Sequence, residues 1–366
     1  MSAPPEVVFD RYFRSNAISA EQRRIYQGKL DLDQLQPGEA GILEDFRKSI
    51  NSMYDRQRSR VLAHGRHPNL HFDYVRSVDV NALAFRYEDY EFVGLTKALV
   101  DCVGSTCEAL AGSPVAFHTL GLDAPDLQNR RQVLTLLFAL QMQFIGCHEL
   151  GHHFHGHCSE PDNPSALWEE FKSDVLLTTE DKIDFQAREV DADGFGVEMV
   201  LRNLIAGQPR AMALELLSRS AGYVACDDAV LTAFLLSVGA FFFRIQPAFF
   251  KQEKIRGREH PPGAIRMHFV MQNTKEWLER NRANSLTWAT LDSYQRIMQA
   301  VAASLEPIKE RTAWDAQTEF LISDAGRAYL DLLRNQVALE REKLNGKRWE
   351  LDESNEESRD GSRAPA

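Results

Sequence analysis

Cysteine is scarce and odd in number. The five residues, at 102, 107, 147, 158 and 226, lack the even, regular spacing of secreted disulfide-bonded domains. The thiols are therefore read as reduced, and the expected compartment is cytoplasmic. Neither Cys147 nor Cys158 belongs to a CxxC pair, so a structural Cys/His zinc site fits poorly. A basic surplus is also missing: Lys and Arg total 42 against 53 Asp and Glu, a formal net charge of -11. That balance speaks against nucleic acid as a partner. No apolar run reaches the roughly 20 residues a bilayer span requires. The most apolar stretch, AVLTAFLLSVGAFFF, is fifteen residues from Ala229 to Phe243, flanked by Asp227-Asp228 and Arg244. It reads as a buried core helix, and no membrane span is expected. The first residues, MSAPPEVVFDRYFRSN, show no basic segment followed by an apolar one, so no signal peptide is expected. No internal repeat is visible.

What is present is the composition of a globular protein: 366 residues, 44% apolar and 26% charged, enough for one large domain or two modest ones. The first 65 residues read as helical, with an amphipathic helix closed by Gly65. From Leu70, alternating β-rich segments predict one or two strands, a turn at YEDY (87–90), another strand, and a helix after Gly94. SPVAFHTL (113–120) reads as a further edge strand, restricted by Pro114. Long helices are predicted over about 126–155 and 182–206, then 210–220, 226–245, 264–283, 286–305 and 314–348. The expected fold class is mainly α with a small β-sheet (α+β).

The chemistry concentrates in CHELGHHFHGHC, Cys147 to Cys158, with five histidines and two cysteines in twelve residues. Inside it, His148-Glu149-Leu150-Gly151-His152 is an HExxH motif. Residues four apart share a helical face, so His148 and His152 can converge on one ion. Glu149 lies beside them, placed to take a proton from a water and return it to a leaving amine. A catalytic zinc needs three protein ligands and one open position, so a third ligand must come from elsewhere. His155, seven residues past His148, shares the face but lies about 10 Å further along the axis. His153, His157, Cys147 and Cys158 read as bystanders.

The downstream run Glu189-Val190-Asp191-Ala192-Asp193-Gly194-Phe195-Gly196 offers that ligand. Glu189 and Asp193 are one turn apart, and Ala192 and Gly196 are small enough for close helix approach. The natural assignment makes Glu189 the third ligand to one zinc per chain. Asp193 is then the acceptor that orients a ligand histidine through its other ring nitrogen. The alternative is a solvated acidic face, which suits Asp191.

At this point the chain resembles the gluzincin metallopeptidases of the HtpX and CAAX-prenyl-protease type. VNALAF (Asn81 to Ala84) and Gly94-Leu95 stand in the order of that family's Asn-Ala-x-Ala strand and Gly-Leu. His260-Pro261-Pro262-Gly263-Ala264-Ile265-Arg266 has the form of its later His-Pro…Arg element. The resemblance implies a zincin-like core over 71–275; periodicity makes 1–70 and 276–350 helical regions on either side, and the tail 351–366, without apolar anchors, is expected to be disordered. The resemblance implies that Asn81 and Ala82 belong to a sheet edge that binds an extended substrate. It also implies that His260 or Arg266 sits near the scissile carbonyl, where a donor would stabilise the developing oxyanion. The plain alternative is a turn before a helix, with Arg266 salt-bridged on the surface. The flanking membrane spans of those families are missing, and the layout is similar to the phage-exclusion Lit-type peptidases.

The function expected is therefore a soluble zinc endopeptidase acting on a protein or peptide substrate, with Glu149 as general base. A second reading is a metal-dependent sensor or regulator on a peptidase scaffold that no longer turns over; a Glu149 buried away from solvent would favour it. A third is metal storage by the Cys/His cluster.

Overall fold

Proline and side-chain caps set the first helices. The computed structural model describes residues 3–58, 69–123, 126–158, 168–169, 182–206, 209–221, 226–246, 249–281 and 291–349. Helix α1 (Pro5–Arg14) starts on a proline, whose missing N–H would have no partner there anyway. Helix α2 (Ala20–Ile25) starts with a reciprocal cap: Ser19 Oγ accepts from the Gln22 N–H, and the Gln22 side chain accepts from the Ser19 N–H. Helix α3 covers Pro37–Arg58. Its predicted stop at Gly65 lies outside the described residues, as does the tail at 351–366.

The β-rich segment forms β1 (Leu70–Val75), β2 (Ala82–Tyr87) and β3 (Tyr90–Thr96). β2 and β3 are an antiparallel hairpin that turns at Glu88-Asp89, with Glu88 at φ 54°. The predicted turn at YEDY is this one. β1 runs parallel to β3 on its other side. The helix expected after Gly94 begins at Lys97, three residues later. Gly94 faces Asp73 of β1 and Leu83 of β2, so the ladder on both sides carries the strand on to Thr96. A two-residue strand, β4 (Trp168–Glu169), pairs antiparallel with β2 at Leu83 and Ala84, giving the order β1-β3-β2-β4. Over those two residues, β2 is therefore already paired by its own chain.

The contacts divide the chain into two compact units, Met1–Lys97 with His152–Glu169 and Leu344–Ala366, and Ala98–Gly151 with Glu170–Lys343. In the first, α1 lays Phe9, Tyr12 and Phe13 on the sheet. The Tyr12 ring stacks on Phe85 at 4.1 Å, and Phe9 meets Phe92 edge-on at 5.4 Å. Aromatic pairs in these geometries contribute beyond their buried area.

The second unit is helical, taking α4 (Lys97–Gly112) from Ala98, α5 (Pro114–Thr119), α6 (Leu127–Phe154) as far as Gly151, α7 (Ile183–Leu201), α8 (Pro209–Ala221), α9 (Asp227–Ile245), α10 (Gly263–Asn281), α11 (Leu291–Leu305), α12 (Thr312–Ile322) and α13 (Asp324–Lys343). Two expectations are corrected. Residues 113–120 are no strand: Ser113 Oγ caps the Ala116 N–H at 3.3 Å and Pro114 opens α5, both helix-start signals. Nor is 314–348 one helix. The backbone is extended at Ser323 (φ -76°, ψ 163°), whose Oγ then accepts from the Gly326 N–H and starts α13.

Every residue of α9 from Ala229 to Phe243 is buried, and the helix packs against α10 and α11. It is tied to α6 by Gln141 Nε2 donating to the Ser237 carbonyl and Ser237 Oγ donating to the Leu137 carbonyl, both at 2.9 Å. By length and composition α6 and α9 could each cross a bilayer; 72% and 83% of their apolar windows are buried within the protein. The architecture is mostly helical with a small mixed sheet, the α+β class expected.

Candidate metal centre

α6 carries the HExxH run at its C-terminal end, and α7 carries Glu189 and Asp193. The two helices approach closely because their facing residues are small. A Cβ on Gly151 would stand 3.1 Å from Ala192 Cα and 3.2 Å from its carbonyl oxygen. One on Gly196 would stand 3.3 Å from the His148 backbone nitrogen. That approach brings ligand atoms of His148, His152 and Glu189 within 4.8 Å of one another, and all three residues are buried.

The separations suit an ion. His148 Nε2 and Glu189 Oε2 are 3.5 Å apart. Two ligands about 2.0–2.1 Å from one tetrahedral zinc lie roughly 3.3–3.5 Å from each other. The His148 ring nitrogen turned away from Glu189 is occupied. His148 Nδ1 lies 2.9 Å from Asp193 Oδ1, an acceptor for its N–H that leaves the Nε2 lone pair for a metal. His152 Nδ1 lies 2.9 Å from His157 Nδ1, and where His152 is the donor its Nε2 lone pair is left for a metal. Two imidazoles, one carboxylate and an oriented tautomer form a donor set appropriate to zinc.

The remaining predicted residues fall as follows. Glu149 is 0% exposed. Arg266 is buried and not on the surface: its Nε and Nη2 donate to the two oxygens of Asp193 at 2.8 and 2.7 Å. Its Nη1 is 3.5 Å from Glu189 Oε2, and its guanidinium lies 4.6 Å from the centroid of the Phe242 ring. His260 Nδ1 is 3.3 Å from the same Glu189 oxygen, and with 18% side-chain exposure it is the most open member of the group. Asn81, just before β2, is buried. Its Nδ2 donates to Tyr26 Oη at 2.9 Å, and its N–H donates to Thr96 Oγ1 at 2.9 Å. Ala82 is buried in β2 opposite Leu95.

The rest of the histidine-rich stretch is also structured. His153 Nε2 lies 2.9 Å from the Phe92 carbonyl, and burial lowers its pKa to about 4, so it stays neutral and donates to β3. Burial pushes the Cys147 thiol up, so without a metal it stays protonated. His157 was read as a bystander, yet it contacts His152. The signal was Gly156, whose φ of +79° reverses the chain after α6, so that the His157 N–H reaches the His152 carbonyl at 2.9 Å. Asp191 also has a partner: Arg341 Nε donates to it at 2.7 Å.

Compared with the models of known protein families, with curated proteins and with solved structures, the chain matches none of them. The likeness to gluzincins rests on its motifs.

Proposed function

We propose that this chain is a zinc-dependent endopeptidase acting on a protein or peptide in the cytoplasm. The observation that carries this reading is the meeting of His148, His152 and Glu189, buried and within ligand distance of one ion, around a helix that also bears Glu149. Zinc bound there would polarise the scissile carbonyl and lower the pKa of the attacking water. Glu149 would accept a proton from that water and deliver it to the leaving amine. Asp193 holds the His148 ring in the tautomer that exposes Nε2. His260, the most open of the group, donates to the carbonyl oxygen as charge develops on it. The extended substrate follows from the resemblance of the Asn81 segment, and the kinship to phage-exclusion peptidases from the overall layout. β4 now occupies β2 at Leu83 and Ala84, so a substrate pairing there would displace it.

One observation favours the second reading, a metal-dependent regulator without turnover: Glu149 is fully buried. The deciding experiment compares the proteomes of cells expressing the wild type and Glu149→Gln, together with the zinc content of both purified proteins. The expected result is equal zinc and at least one protein fragment that appears only with the wild type. Normal cleavage by Glu149→Gln removes Glu149 from the mechanism; zinc bound without any wild-type fragment supports the regulator.

A further inference from the structure

The resemblance implies that His260 or Arg266 sits beside the scissile carbonyl, and the Arg266 fork is engaged by two buried carboxylates. Nε and Nη2 hold both oxygens of Asp193 at 2.8 and 2.7 Å, and Nη1 lies 3.5 Å from Glu189 Oε2. Both carboxylates are 0% exposed and Arg266 is 2% exposed, so this cation lies between two otherwise costly buried charges. A planar guanidinium that donates twice to one carboxylate fixes both its position and its rotation. The Phe242 ring, 4.6 Å from the guanidinium carbon, fixes the plane of the fork in turn. Asp193 held this way keeps Oδ1 on His148 Nδ1 at 2.9 Å.

We infer that Arg266 is a positioning residue of the metal centre. It orients Asp193, Asp193 orients the His148 ring, and the ring presents Nε2 to the ion. This rests on the zinc reading above and assigns Arg266 no contact with substrate.

The test is zinc affinity, measured by chelator competition on the full-length protein. It compares the wild type, Arg266→Gln, Arg266→Lys, Asp193→Asn and the double variant Arg266→Gln/Asp193→Asn. Loss of a residue that orients a ligand weakens metal binding by about 10–100-fold, and Arg266→Gln is expected in that range. Arg266→Lys keeps the charge but not the double donation, and is expected to recover only part of the loss. In the Asp193→Asn background, Arg266→Gln should cost several-fold less than in the wild type, leaving only what its contact with Glu189 contributes, an outcome that a generally structural arginine would not give. Wild-type affinity in Arg266→Gln, full recovery by lysine, or an equal penalty in both backgrounds overturns the inference. If Arg266→Gln does not fold, Arg266→Lys in the two backgrounds decides by the same criterion. A wild type that binds no zinc overturns the function proposed above; zinc bound equally well without the fork overturns this inference alone.

Discussion

The histidines of the HExxH stretch differ in what their ring nitrogens meet. His148 has a carboxylate there and His152 another imidazole, while His153 Nε2 is engaged by a backbone carbonyl. Identical side chains therefore divide into candidate ligands and a structural tie. The same physics applies to His268 on α10, whose pKa is lowered to about 4 by burial and by the neighbouring Arg334. Its Nε2 lies 3.4 Å from Arg334 Nη2 on α13, a contact suited only to the neutral ring. The unfolded chain takes up this proton near 6.5, well before the folded one does. The contribution is therefore intact above about pH 6.5 and falls away as the pH drops towards 4. Urea unfolding of wild type and His268→Gln at steps between pH 7 and 4.5 should show a shallower loss of stability in the variant. Equal slopes would mean that the folded ring protonates freely.

At the scale of elements, the centre depends on how closely α6 and α7 cross. The Gly151 position leaves only 3.1 Å between an added Cβ and Ala192 Cα, backbone that cannot rotate away. Gly151→Val should force the helices apart, separate Glu189 from His148, and destabilise the fold by about 1–3 kcal/mol as overpacking does. Chelator competition and urea unfolding on the purified variant check both effects, with Gly151→Ala expected to be milder. A valine variant with unchanged zinc affinity would mean that the crossing can relax without moving the ligands. α7 is held on its other side by α13, where Arg188 Nε donates to Glu340 at 2.7 Å with both side chains buried. Breaking one partner of such a pair costs about 3–5 kcal/mol, so α7 is braced by charge as well as by packing.

For the molecule as a whole, Glu149, Glu189 and Asp193 are buried, and the last two lie within 3.5 Å of the His148 ring, an arrangement that a divalent cation would stabilise. Zinc that binds only the folded chain adds stability by mass action, about 2.7 kcal/mol at a hundred times its dissociation constant. Removing metal with a chelator should lower the unfolding temperature, and stoichiometric zinc should restore it. His152→Ala should abolish the response. A thermal midpoint indifferent to zinc in the wild type would refute a metal centre at this place.

Much of this was readable along the chain. The lengths of α6 and α9 follow from sustained apolar sequence, and the four-residue spacings of His148 with His152 and of Glu189 with Asp193 follow from helical period. Ser113 with Pro114, and Ser323, carry start signals that outweighed the strand and continuous-helix readings, and β3 ran past Gly94 because partners lay on both sides of it. Arg266 and Asp193 are 73 residues apart, and no local period relates them. Within one helix, backbone geometry alone determines which side chains share a face, so the sequence by itself determined the pairs of candidate ligands. Where two helices cross, and hence which carboxylate meets which ring nitrogen, depends on small residues and ion pairs from distant segments. Only the tertiary structure decided that Arg266 grips Asp193 and that His157 folds back onto His152.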